Sequence, residues 1–405
     1  MKIFYLAHRV PYPPDRGDKI RTFHEIRHLS RAHEVHVFCL ADGTDDLSNV
    51  EGVEEYACSV TAVPRTDLRS KVRALTALLA GQPFSVGYFD EASLRRKIRQ
   101  AKERIQPDLA LVYSSGMAQY VEDFEDLPRI MEFGDLDSLK WKQYADRGYP
   151  PMRWLYAAEA RRLLKYERRI ARGFGHSIVC TPREQDDFER LIPDAQVSCV
   201  GNGVDLEFFS SAQAAKHPGR LIFTGVMDYL PNVDAVVWFC DHVLPRVQKA
   251  VPTATLTICG SRPSAEVQAL AARPGVKVTG WVDDVRPYLD SAEVAVVPIR
   301  IARGIQNKLL EAMAMGLPCV SATAAWTGIE VSGDPGVFIA DEPDDFAERV
   351  VSLLRDQDLR TRASHAARSA VERHYSWQAQ LAPLDAIFAG VVTSERALAS
   401  MTARR

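Results

Sequence analysis

The chain lacks any apolar run approaching the ~20 residues needed to cross a bilayer. Its opening, MKIFYLAHRVPYPPD, holds only a short apolar segment, residues 3–7, too little for a signal-peptide core. These absences predict a cytoplasmic protein, with peripheral contact at the inner face of the cell membrane left open. No Cys-x-x-Cys pair occurs among the seven cysteines, which argues against a zinc ribbon or a dithiol redox centre. Their mostly apolar settings predict reduced core residues. An excess of charge is missing too: 50 Lys and Arg against 53 Asp and Glu give −3, which excludes nucleic acid as a bulk partner. Internal repeats, low-complexity segments and His/Asp/Glu clusters at metal-binding spacing are likewise absent, so no cofactor and no metal site is expected.

What is present fits two domains of roughly 200 residues each. Short apolar runs alternate with helical patterns along the whole chain, the signature of parallel α/β organisation with ligands bound beyond the carboxyl ends of the strands. Strands are expected at 2–7, 34–41, 57–63, 108–113, 129–133, 176–180 and 196–200. In the second half they are expected at 220–225, 255–260, 276–281, 294–299, 318–321 and 337–339. A turn-forming Asn202-Gly203-Val204-Asp205 and the polar segment after it mark a boundary, giving domains 1–205 and 206–377, with 378–405 packing back on the first.

The most informative stretch is 293–321. Val294–Val297 and Ile299 form a doubly buried strand that Pro298 stops, Gln306–Met315 is rich in helix formers, and Gly316 with Pro318 ends that helix. A helix opening just beyond a strand offers free N–H groups and a favourable dipole to an anion, phosphate being the natural one. Lys308 and Glu311, three residues apart, share a helix face. The ammonium suits a diphosphate and the carboxylate suits two ribose hydroxyls.

This stretch resembles the nucleotide-sugar motif of retaining glycosyltransferases of GT-B fold, family four. There the pattern is Glu, seven residues, Glu, then Ala-Met-Ala-x-Gly. Glu311 and Ala312-Met313-Ala314-Met315-Gly316 match it, while the first glutamate is replaced by Arg303. The resemblance implies two Rossmann-like domains facing a cleft, the first binding acceptor and the second a nucleotide sugar. It also implies metal-independent transfer with retention to a lipid-linked or polysaccharide acceptor, as in exopolysaccharide assembly. The Asp-x-Asp at 135–137 resembles a motif of metal-dependent transferases of another fold, but its surroundings do not.

The resemblance assigns further residues. Gly17, after the first strand, is to approach the donor phosphate, with Asp18 capping the following helix. Family members commonly place an arginine and a lysine after strand 220–225, where this chain has Asp228, Tyr229 and Asn232. Arg303 is then the expected substitute cation, acting with Lys308 and the amides of Gly304, Ile305 and Gln306 on the leaving diphosphate. Trp281 and Val282 are expected at the base, Trp281 having a place in the core as its alternative. Asp135, after the fifth strand, is the acceptor-side candidate. Arg153–Arg172 reads as a strongly basic helix, solvated, lying on anionic headgroups or meeting the diphosphate of a lipid-linked acceptor. A nucleotide-sugar epimerase of similar fold and a non-catalytic nucleotide-sugar binding protein are the other compatible readings.

Overall fold

The computed structural model describes residues 1–211, 216–302 and 305–402, the side chains of 45, 147 and 395–402 apart. Two compact units divide the chain: Met1–Gly201 with Leu381–Arg405, and Asn202–Gln380.

The first unit is built on a seven-stranded parallel sheet: β1 (Lys2–Ala7), β2 (Glu34–Asp42), β3 (Ser59–Arg65), β4 (Leu109–Tyr113), β5 (Arg129–Gly134), β6 (His176–Val179) and β7 (Val197–Cys199). Their order is β3-β2-β1-β4-β5-β6-β7. Apolar runs such as Ile3–Ala7 are wholly buried because helices cover both faces. The second unit holds β8 (Arg220–Thr224), β9 (Thr255–Cys259), β10 (Val276–Val278), β11 (Val294–Val297), β12 (Cys319–Ser321) and β13 (Val337–Ile339). Here the order is β10-β9-β8-β11-β12-β13.

Both orders reverse once, between β1 and β4 in the first sheet and between β8 and β11 in the second. At such a reversal the connections leave toward opposite faces, opening a crevice at the carboxyl ends of the two strands. The structure therefore offers one ligand-binding edge per unit. All thirteen expected strands are present, with differences at their ends. The strand expected to reach Trp281 stops at Val278, because Gly280 takes a left-handed φ of 72° that ends the ladder. The cysteines are not uniformly core residues: Cys58 is exposed and Cys199 half-buried, since Cys58 precedes β3 and Cys199 ends β7, the two edge strands of the sheet.

Val204 pairs with Ser376 in an isolated parallel bridge, and its N–H donates to the Tyr375 carbonyl at 2.7 Å. A side chain at Gly203 would lie 2.7 Å from the Trp377 backbone, so this close approach requires glycine.

Candidate functional site

In the second unit the site grows from the β8/β11 reversal. Helix Asn307–Ala314 follows β11 and buries Leu309, Leu310, Ala312, Met313 and Ala314, so the Ala-Met-Ala-Met run is packed core. Gly316 ends the helix at φ 65°, and its carbonyl accepts from Ser364 Oγ at 2.6 Å. This packing fixes the first turn, where half-buried Lys308 points back across the reversal. Its Nζ donates to Asn232 Oδ1 at 2.5 Å and lies 4.6 Å from the centre of the Phe223 ring of β8. Asn232 sits in the first turn of helix Leu230–Trp238, since Pro231 is accepted at the first helical positions. Its Nδ2 donates to the Val226 carbonyl at 2.8 Å, so one amide holds both the loop after β8 and the lysine.

Burial pulls the Lys308 ammonium down to about 7, with Glu311 opposing. Burial likewise pushes Glu311 up to about 7, with Lys308 opposing.

The loops after β8 and β9 are stitched together. Gly225 N–H donates to the Cys259 carbonyl and Met227 N–H to the Ser261 carbonyl. A Cβ at Gly260, whose φ is 154°, would overlap the Gly225 carbonyl oxygen. Arg262, a non-glycine residue at φ 52°, pairs with Asp228 at 3.2 Å while staying half in solvent. A cation thus stands beside Asp228 after all. Sequence reasoning missed it because it comes from the strand next to β8. Trp281 is 68% exposed, which removes its alternative place in the core, whereas Val282 packs against the core's edge. Ile305 and Gln306 are half-buried, Gln306 standing just before the Asn307–Ala314 helix; Arg303 and Gly304 lie outside the described residues.

The first unit has its own constellation at the β1/β4 reversal. Helix Gly17–Leu29 begins at Gly17 with Arg16 as its cap. Asp18 is therefore not the cap, and its carboxylate turns instead to the residues following β1. His8 Nε2 lies 3.0 Å from it, and Arg9 is paired with it as well. Burial alone would raise Asp18, but the His8 hydrogen bond and the charges of His8 and Arg9 hold it well below the usual carboxylate range. The His8 ring stacks on Tyr113 at the end of β4, with centroids 5.8 Å apart, and its Nδ1 is buried without a hydrogen-bond partner. Its sequence signal was position alone, directly after the first strand.

Asp135 is half-buried after β5, and its Oδ1 accepts from Cys180 Sγ at 3.2 Å. The neighbouring Leu136 and Ser138 N–H groups donate to Glu184 and Glu167 at 3.1 Å each, which pins the turn that carries Asp135. Beneath these loops, Arg21 is 2% exposed and lies between two wholly buried carboxylates. Its Nε is 2.8 Å from Glu25 and its Nη2 is 3.2 Å from Glu132, while Nη1 donates to the Gly201 carbonyl at 3.1 Å. Burial pushes Glu132 up to about 8, with Arg21 opposing and Glu25 adding.

Residues 218–356 match the family described as Glycosyl transferases group 1. No curated protein matches the chain. Among solved structures it is similar to sucrose-phosphate synthase from Thermosynechococcus elongatus, at 15% identity and TM-score 0.70, over 97% of this chain and 100% of that one. It is also similar to HepE from Anabaena in complex with UDP-glucose, at 14% identity and TM-score 0.65, over 97% and 100%. A glycosyltransferase from Rickettsia africae aligns at 10% identity and TM-score 0.63, over 96% and 98%. At these identities the likeness establishes the fold, which is GT-B with two Rossmann-like domains.

Proposed function

We propose that this chain is a metal-independent glycosyltransferase that binds a nucleoside-diphosphate sugar at the carboxyl edge of the second sheet. Its sugar goes, with retention, to a lipid-linked or polysaccharide acceptor, in exopolysaccharide assembly. The observation that carries this reading is Lys308: an ammonium held at the strand-order reversal by Asn232 and set against Phe223, where a diphosphate would meet it. The match of residues 218–356 to group 1 glycosyl transferases and the UDP-glucose bound by HepE support the same donor class.

In this reading Lys308, Arg262 and the first amides of the Asn307–Ala314 helix take up the charge that develops on the leaving diphosphate. Glu311 receives the ribose hydroxyls, and exposed Trp281 offers its ring to the base, with Val282 beside it. Asp135 serves the acceptor side. The acceptor hydroxyl's proton passes to a diphosphate oxygen as the bond to the anomeric carbon breaks.

Donor affinity should depend on pH with a defined sign. Free Lys308 loses its proton near 7, and a bound diphosphate raises that value, so binding above pH 7 takes up a proton. The donor Kd is expected to rise by up to about tenfold per pH unit above 7, measured by calorimetry in buffers of different ionisation enthalpy. A Kd flat from pH 7 to 9 in wild type would remove Lys308 from the phosphate site.

Gly260→Ala is expected to part the loops after β8 and β9 and to lower transfer about a hundredfold, the scale of an ångström's misplacement. A panel of nucleotide sugars screened by thermal shift would identify the donor, since a ligand that binds the native state raises Tm. Product analysis then tests the reaction. Transfer to a membrane-extract acceptor with the anomeric configuration kept supports the proposal. Epimerised donor in the absence of acceptor, or binding with no transfer to any acceptor, overturns it.

A further inference from the structure

Helix Asp67–Leu79, which follows β3, is packed in reverse of the usual amphipathic rule. Its inner face is made of small residues: Ser70 is wholly buried, Ala74 and Ala77 are half-buried, and Ala77 meets Gly87 of helix Phe84–Tyr88 so closely that a Cβ there would lie 2.5 Å from its own. The large apolar residues point outward. Leu68 is 74% exposed, Val72 54%, Leu75 55% and Leu79 79%. Spaced by four, three and four residues, they fall within about 60° of arc at 3.6 residues per turn, a continuous stripe of about 16 Å. Exposed Arg69 and Lys71 flank the stripe on its two sides, and Asp67, paired with Lys71 at 2.6 Å, is the helix's single acid.

Hydrogen bonds from a neighbouring helix support this orientation. Buried Glu159, on helix Met152–Gly173, accepts from the Phe84 and Ser85 N–H groups at 2.9 Å each, fixing the element on which Ala77 rests. Arg162 of the same long helix donates to the Leu78 carbonyl at 3.1 Å. Two turns before that contact the long helix exposes Trp154 (66%), and Tyr149 just ahead of it is 86% exposed. An outward leucine stripe bordered by cations, with exposed indole and phenol rings on the adjoining element, matches an anionic bilayer surface in both respects. Acyl chains take the leucines, phosphates take Arg69 and Lys71, and the rings suit the headgroup layer.

We propose that helix Asp67–Leu79 docks the protein on anionic membrane, lying in the plane of the interface with its leucine stripe inserted and Trp154 and Tyr149 as a second contact. Docking depends on neither donor nor acceptor, so it stands or falls apart from the catalytic reading. The full chain should float with vesicles of equal parts phosphatidylcholine and phosphatidylglycerol, and less with phosphatidylcholine alone or at high salt. Leu75→Asp with Leu79→Asp, both at exposed positions, should cut partitioning by about tenfold or more. Arg69→Gln with Lys71→Gln should erase the preference for anionic lipid. Circular dichroism checks that each variant is folded. Equal flotation of the leucine variant and wild type overturns the proposal. So does absence of flotation with self-association in sedimentation that the leucine variant abolishes, which would assign the stripe to a second copy of this chain.

Discussion

Replacing Lys308 with alanine is expected to lower kcat/KM for sugar transfer by about a hundred- to a thousandfold, the usual loss when one preorganised donor to developing negative charge is removed. The same change should leave folding almost untouched. Burial pulls this ammonium down to about 7, so the folded protein already bears a cost for holding it charged, and alanine relieves that cost. The loss should appear in kcat as well as KM, because charge on the diphosphate grows as the sugar bond breaks. Steady-state kinetics on the donor identified by thermal shift, with a melting curve beside them, provide the check. Near-normal turnover in the alanine variant would move the diphosphate elsewhere and leave Lys308 a structural partner of Asn232. Asn232→Ala, which frees the lysine without removing it, should give a smaller loss, of about tenfold.

Arg21→Met is expected to be the most damaging change for the first domain's stability. One guanidinium is shared between Glu25 and Glu132, all three being almost fully buried, and its removal leaves two carboxyl groups in apolar surroundings without a cation. Breaking such a buried pair costs about 3–5 kcal/mol, or on the order of 10 °C in Tm for a unit of this size. The loss should grow with pH. In the native protein Glu132 keeps its proton up to about pH 8, well above its ordinary value of 4.5, so the folded state binds more protons between those limits and stability falls as pH rises through them. Without Arg21 the carboxyl groups become still harder to ionise, so the variant should lie further below wild type at pH 8.5 than at pH 5. Glu132→Gln should flatten the wild-type dependence over the same window. Thermal melts across that range measure both effects, and an Arg21→Met melt equal to wild type at pH 8.5 would show that the network is not structural.

Much of this molecule could be read from local pattern. Buried parallel strands are continuous apolar runs, and the glycine and proline punctuation between them is local chemistry, so the number and approximate places of the strands in both sheets followed from residue order. The packed helix ending at Gly316 was legible for the same reason, as was the presence of Lys308 and Glu311 in its first turns. The places where reading failed share a physical cause. Asp18 looked like a helix cap because capping residues are recognised by sequence position, but its carboxylate is claimed by His8 and Arg9. Trp281 had an equal place in the core because an aromatic residue at the end of an expected strand usually packs, yet β10 stops three residues earlier and leaves it 68% exposed.

Helix Asp67–Leu79 shows the limit most clearly. Its sequence is amphipathic, and periodicity gives the stripe but not the side on which the rest of the protein lies. Sequence by itself determined the elements, their order, the parallel α/β class and the cation and carboxylate that open the Asn307–Ala314 helix. Tertiary structure alone decided which strands are neighbours, and therefore where each sheet reverses and which loops meet. Lys308 and Asn232 are 76 residues apart and Arg21 and Glu132 are 111 apart, yet each pair, like His8 and Tyr113, meets because parallel strands require crossovers that bring distant segments to one edge.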